Sequence, residues 1–188
     1  MTVRYLALAA VSLLAVAATS VPPVQAASTP NLCAPGEQPV LSCGVGGKVL
    51  SLCASGSLTA EGAGSVKMQY RFGRKGAVEM AWPVRPEHPR GLFFLSTTMF
   101  SGGGEERIRF SNGGYDYVVF QRTIAGSRDE DGVRGSYQDE GVAVLKAGKV
   151  VGRHICTTPA VNDGYPKMYD VLEREDGEAL DIPCCGEK

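Results

Sequence analysis

Two histidines, six cysteines and a run of three glycines are the residues of this 188-residue chain with the most chemistry to offer. His88 sits among prolines, and His154 lies two residues before Cys156. An imidazole beside a serine and a carboxylate would make a hydrolytic triad, and triads assemble across a fold whatever their spacing in sequence. No Gly-x-Ser-x-Gly elbow occurs, and a lone histidine in a strand is more often packing or surface. A secreted hydrolase using His154 or His88 is therefore kept as the alternative, and the chain is read as a non-enzyme. Two apparent ligand loops fail on their chemistry. Gly44-Val45-Gly46-Gly47-Lys48 is similar to a phosphate loop, but Ser42 replaces its first glycine and Val49 its metal-binding hydroxyl. Asp129-Glu130-Asp131-Gly132 is similar to a calcium loop, but Gln138 stands where a bidentate carboxylate belongs. No cofactor and no metal site are expected.

Cys33, Cys43, Cys53, Cys156, Cys184 and Cys185 make an even set without Cys-x-x-Cys or histidine spacing, which argues for disulfides over zinc. The N-terminus agrees with that compartment. A short basic start, Met1 to Arg4, precedes the apolar run Tyr5 to Ala18, and Val24-Gln25-Ala26 has the small-x-small form of a peptidase site. Residues 1–26 are read as a cleavable signal peptide, too short in its apolar part to span a bilayer. The expectation is a periplasmic or secreted protein with no membrane span. The leader carries one of the 19 basic residues and none of the 20 acidic ones, so the mature chain is slightly acidic. It has no basic excess with which to hold nucleic acid. Cys53 and Cys156 both sit in apolar, strand-like runs and are expected to pair in the core. Cys33 and Cys43 are then expected to tie down the tail through Cys184 and Cys185.

These residues need a scaffold, and its pattern is β. Residues 27–47 are rich in Pro, Gly and Cys and read as an irregular, cysteine-tethered arm. Strands follow over 48–54, 66–72, 77–82, 92–100, 105–111 and 115–123, with turn signals at Gly73-Arg74-Lys75-Gly76 and Asn112-Gly113-Gly114. Three prolines in 83–89 are expected to break the ladder. The glycine-containing, mixed-charge stretch 125–141 reads as a long solvated loop. A last hairpin covers 142–146 and 149–157, and 165–174 carries a helical pattern. The reading is a mainly β protein. A single antiparallel β domain, sandwich or barrel-like, spans 48–188 with a short C-terminal helix and disulfide staples.

The feature chosen as a binding element is Phe100-Ser101-Gly102-Gly103-Gly104-Glu105. Three consecutive glycines are costly to order, and a tight turn needs only one or two. Such a run would make a slim projection, tipped by the Ser101 hydroxyl, able to enter a narrow cleft. Tyr115 and Tyr117 share one face of the following strand and are expected to flank it.

Several segments carry a family likeness: Leu52-Cys53-Ala54-Ser55, Gln69-Tyr70-Arg71-Phe72-Gly73, Phe100 to Gly104, and Arg109 to Phe120. Together they resemble small exported proteins of Gram-negative bacteria, over roughly 48–157. The architecture is similar to periplasmic inhibitors of cell-wall hydrolases, namely lysozyme inhibitors and the immunity proteins that neutralise amidase effectors of type VI secretion. The resemblance implies a β scaffold that plugs a hydrolase cleft with a loop. Ser101 and Gly102 match the Ser-Gly of lysozyme-inhibitor loops, while Glu105 stands where one subfamily has tyrosine, which favours the amidase-immunity form. The expected partner is a protein, bound through Ser101, Gly102, Gly103, Gly104, Glu105, Tyr115 and Tyr117. An envelope-associated binding module is the remaining alternative.

Overall fold

A computed structural model describes residues 30–177 and Leu180. The signal peptide proposed for 1–26, and Cys184 and Cys185, lie outside the described residues. The fold is mainly β, in two sheets around one core. β1 (Gln38–Val45), β2 (Lys48–Ser55), β3 (Lys67–Arg74) and β4 (Ala77–Glu87) form an antiparallel meander. β5 (Phe94–Phe100), β6 (Gly103–Asn112), β7 (Tyr115–Arg128), β8 (Arg134–Lys146) and β9 (Lys149–Ile155) form a second. The two-residue β10 (Glu173–Arg174) adds to this second sheet, parallel to β5.

Alternation decides which side chains meet between the sheets. Leu50, Leu52, Met68 and Tyr70 of the first sheet pack with Leu95, Ile108, Phe110, Val119 and Val142 of the second. Aromatic contacts join the layers. Trp82 stacks on Phe110 at 4.7 Å between centroids, Tyr70 lies 5.0 Å from Phe110, and Phe110 stacks on Tyr117 at 5.0 Å. Pairs of this kind add about 0.5–1.5 kcal/mol each beyond area burial. After β9 the chain crosses to β1 and closes that side of the sandwich. The Thr157 N–H donates to Gly44 O at 2.7 Å, and Ser42 and Val161 exchange backbone hydrogen bonds at 2.8 Å.

The cysteine pairing differs from the sequence expectation. Cys33 bonds Cys53, and Cys43 bonds Cys156. Alternation along β2 explains it. Leu50, Leu52 and Ala54 face the core, so Cys53 points to the opposite face with Ser51 and cannot reach Cys156. The N-terminal arm lies over that outer face. There the Leu32 N–H donates to Ser51 Oγ at 2.9 Å, and Arg71 Nη2 donates to Glu37 Oε1 at 2.9 Å. The arm is also more regular than expected, because its second half is β1. The strand was masked by a bulge between Pro39 and Leu41 and by burial on both faces.

Three more elements depart from the pattern reading. β4 continues through Pro83 and Pro86 because it is an edge strand, where proline costs no outward ladder bond. Gln69 Nε2 bridges the register shift there by donating to Pro83 O at 2.7 Å and to Val84 O at 3.1 Å. The expected loop 125–141 is instead the extension of β7 and β8 into a long ribbon. The expected helix over 165–174 is only a 3₁₀ turn, Pro166–Asp170, followed by β10. Its apolar positions still serve the core: Tyr165 and Met168 are fully buried, and Tyr165 donates its hydroxyl to Val119 O at 3.0 Å.

Candidate functional site

The glycine run is a β-hairpin built more tightly than a free loop. Phe100 pairs with Gly103 and Met99 with Gly104, so only Ser101 and Gly102 form the turn. Gly102 has φ +90°, a backbone conformation in which a side chain is strained. Gly103 and Gly104 serve a different purpose. A Cβ on Gly103 would overlap the Thr123 carbonyl oxygen, and one on Gly104 would lie 2.7 Å from Met99 Sδ. Gly103 is therefore accounted for by close strand packing, whereas the Gly104 contact is with the movable end of the exposed Met99 side chain. Ser101 and Gly102 are exposed, and Gly103 and Gly104 are half-buried.

Glu105, expected at the partner surface, is buried. The register places it beside Arg122 and Asp139 on one row across β6, β7 and β8, on the face of the sheet turned away from the core. Arg122 Nε donates to Asp139 Oδ2 at 3.0 Å, and Arg107 Nε lies 3.4 Å from Glu105 Oε1. Described residues of the C-terminal segment meet this face. There the Leu180 N–H donates to Glu105 Oε1 at 2.9 Å, and Glu175 accepts from Arg109 Nη2 at 2.6 Å. Burial pushes the Glu105 carboxyl above its usual range, against the pull of the Leu180 N–H and of Arg107 and Arg122. Glu105 is thus an internal contact of Leu180, buried away from the surface expected for it.

Tyr115 and Tyr117 do not flank the tip. Tyr117 pairs with Phe110 and Tyr115 with Asn112, whereas Gly103 pairs with Ile124 at the other end of β7. Seven residues of strand separate Tyr117 from that end, roughly 24 Å. Tyr117 belongs to the core, and Tyr115 lies under Lys146 Nζ, 5.2 Å from its ring centre. The histidines are not brought together with catalytic partners. His88 is exposed, its Nδ1 accepting from the Arg90 N–H at 3.2 Å. His154 is also exposed and rests 5.2 Å from the Phe72 ring. Among the described residues neither has a hydroxyl or carboxylate partner.

What the register does assemble is the overhanging end of the second sheet. Beyond Val119 and Val142, the core-facing sides of β7 and β8 no longer contribute to the core. On the other face of this end, Phe100, Gly103, Ile124 and Tyr137 fall on one row. On the core-facing side, Met99, Gly104, Thr123 and Gln138 form the corresponding row. Both faces meet solvent, with Met99 83%, Val133 62% and Tyr137 53% exposed. At the far tip the acidic stretch closes on itself, with Asp129 Oδ1 accepting from the Val133 N–H at 2.7 Å and Arg128 Nη1 donating to Gly132 O at 2.7 Å. Among the described residues, the one cluster with metal-ligand proximity is Cys33, Glu37 and Cys53, whose sulfurs are taken by their disulfide.

Between the overhang and the segment after β9 lies an open cleft of about 570 Å³. Its floor is a polar row in register, Thr97, Glu106, Gln121 and Glu140. Glu106 accepts from Gln121 Nε2 and from the Tyr169 hydroxyl, and Asn162 Nδ2 donates to Gln121 Oε1 at 3.0 Å. Burial, together with the hydrogen bond to Glu106, pushes the Tyr169 hydroxyl up to about 12, so it stays a donor. Burial and the charge of Asp139 raise the Glu140 carboxyl. Sequence reasoning missed Met99, Val133 and Tyr137, and also this row. Alternation would have put Glu106 with Ile108 and Phe110, but only the strand register shows that Glu106, Gln121 and Glu140 adjoin.

No protein-family model, no curated protein and no solved structure matches this chain.

Proposed function

We propose that the protein is an exported binding protein that inhibits a peptidoglycan hydrolase by setting the overhanging end of its second sheet against that enzyme's cleft. The observation that carries the reading is the two-sided exposure of this end, with Met99 on one face near the Ser101-Gly102 turn, Tyr137 on the other, and Val133 in the far turn of the ribbon. Exposed large apolar side chains at a projecting sheet end suit an interaction surface. Charge supports the choice of partner. Asp129, Glu130 and Asp131 stand at the ribbon tip, and clefts that hold the anionic cell-wall polymer favour basic side chains. The paired strands hold the tip in one conformation before binding, which lowers the ordering cost of association. The two disulfides suit an oxidising compartment. The motif thus acts through Ser101 and Gly102, with Gly103 as a packing glycine.

The test is protection of peptidoglycan by the purified protein against a panel of amidases and lysozymes. A double variant, Met99→Asp with Tyr137→Asp, alters only exposed side chains and should keep the native melting behaviour. Wild type is expected to suppress one hydrolase, and the variant to lose at least roughly tenfold in affinity. Full inhibition by the folded variant, or protection against none of the panel by wild type, overturns the reading.

A further inference from the structure

The cleft beside the overhang has a chemistry of its own, independent of how the ribbon tip is used. Two carboxylates, Glu106 and Glu140, face it from β6 and β8, one strand apart from each other across Gln121. Among the described residues no lysine or arginine pairs with either. Arg122, the guanidinium nearest in sequence register, is committed to Asp139 on the opposite face of the sheet. The carboxylate of Glu106 is fixed from two sides by Gln121 and Tyr169, and Gln121 is fixed in turn by Asn162. A bound group therefore meets an acceptor already oriented, with no rotamer of Glu106 left to freeze. Glu140 is different: it is half-buried, its backbone carbonyl accepts from the Cys156 N–H at 2.8 Å, and its carboxylate has no hydrogen bond or ion pair among the described residues.

A carboxylate drawn partly out of water gains from an opposite charge or from hydrogen-bond donors, most of all when a ligand displaces the water in front of it. Here the protein supplies neither to Glu140 and leaves open space in front of it. The cleft volume of about 570 Å³ lies in the range that takes a disaccharide or a dipeptide-sized ligand. Its rim adds the hydroxyl of Thr97, the amide of Gln138 and the thioether of Met99, which suit the carbon frame and hydroxyls of such a ligand. An anionic ligand is disfavoured by the two carboxylates, and a neutral one leaves Glu140 uncompensated.

We infer that this cleft is a binding site for an organic cation, a protonated amine or guanidinium, seated between Glu140 and the Glu106–Gln121–Asn162 network. The cation can belong to a free small molecule, such as a de-N-acetylated amino sugar, or to a lysine or arginine side chain. The ligand chemistry is the same, and the probes separate the sources.

The experiment is a titration of the full protein followed by NMR at the side-chain amide signals of Gln121 and Asn162. The probes are chitobiose, its neutral N,N′-diacetyl form, Nα-acetyl-arginine amide and Nα-acetyl-lysine amide. At least one cationic probe should shift both amide signals saturably, while diacetylchitobiose should not. The tighter of the sugar and amino-acid probes names the source. Glu140→Gln should weaken the cation roughly tenfold or more, as loss of a charge-assisted contact does, with the wild-type amide spectrum retained elsewhere. Equal binding of the neutral disaccharide, an unchanged affinity in Glu140→Gln, or the absence of any shift with all four probes overturns the assignment. Because the probes need no hydrolase, these outcomes are distinguishable from failure of the inhibition reading.

Discussion

Single residues carry the arm as well as the tip. Arg71 is the clearest case on the arm: it donates from Nη1 to Leu32 O at 2.9 Å and from Nη2 to Glu37 Oε1 at 2.9 Å, so one guanidinium holds two points of the N-terminal segment. Burial alone would raise the Glu37 carboxyl. The hydrogen bonds from Arg71 and the Ala34 N–H, with the arginine charge, outweigh burial and hold it below its ordinary 4.5. The sign of the consequence follows. A carboxyl whose folded value is depressed adds stability above about pH 4.5, and that stability is lost as pH falls through the folded value. Urea midpoints measured from neutral pH down to about pH 3 should therefore decline less steeply for Glu37→Gln than for wild type. At neutral pH the variant should be less stable by about 1–3 kcal/mol. Parallel declines would mean that the pair contributes nothing pH-dependent. At the tip, the sequence showed a costly run of glycines but not its cause. The contact of Gly103 with the Thr123 carbonyl joins strands that sequence alone does not bring into register.

At the scale of elements, patterns with one buried face were legible and those with none or two were not. Alternation of Ile108 and Phe110 with Arg107 and Arg109 identified β6, and Asn112-Gly113-Gly114 marked its turn into β7. The outer halves of β7 and β8 are wet on both sides, so no apolar period marks them as strand, and they read as loop. β1 failed for the opposite reason, being buried on both faces around a bulge. The 3₁₀ turn Pro166–Asp170 kept the helix-like spacing of Tyr165, Met168 and Leu172, yet too few residues to propagate a helix. The ribbon yields its own prediction. Because it adds nothing to the core, replacing residues 129–133 with Asn-Gly should leave the melting temperature nearly unchanged while weakening hydrolase inhibition. A large loss of stability, or undiminished inhibition, would contradict the role given to it.

For the whole molecule, covalent and hydrogen-bonded ties make a rigid base from which one end projects. Cys43–Cys156 joins residues 113 apart in sequence and locks β1 to the end of β9, whereas Cys33–Cys53 spans 20 and pins the arm. By loop-closure entropy the longer bridge constrains the unfolded chain more, at about 4–5 kcal/mol against about 3. Fold class, the succession of strands from β2 to β9 and the presence of disulfides could be read from the chain. The pairing could not, since it depends on which face of β2 carries Cys53. The end proposed to bind was half legible: Ser101 and Gly102 were visible as a motif, but the ribbon beside them emerged only once register placed Tyr137 opposite Ile124. The proposed inhibition is tested most directly by site-specific photo-crosslinking to a hydrolase that the purified protein is found to suppress. A benzoyl-phenylalanine replacing Tyr137 should cross-link that enzyme and retain it inactive. The same probe replacing Val84, 85% exposed on the far edge strand β4, should give no adduct. Adducts from position 84 and none from position 137 would contradict it.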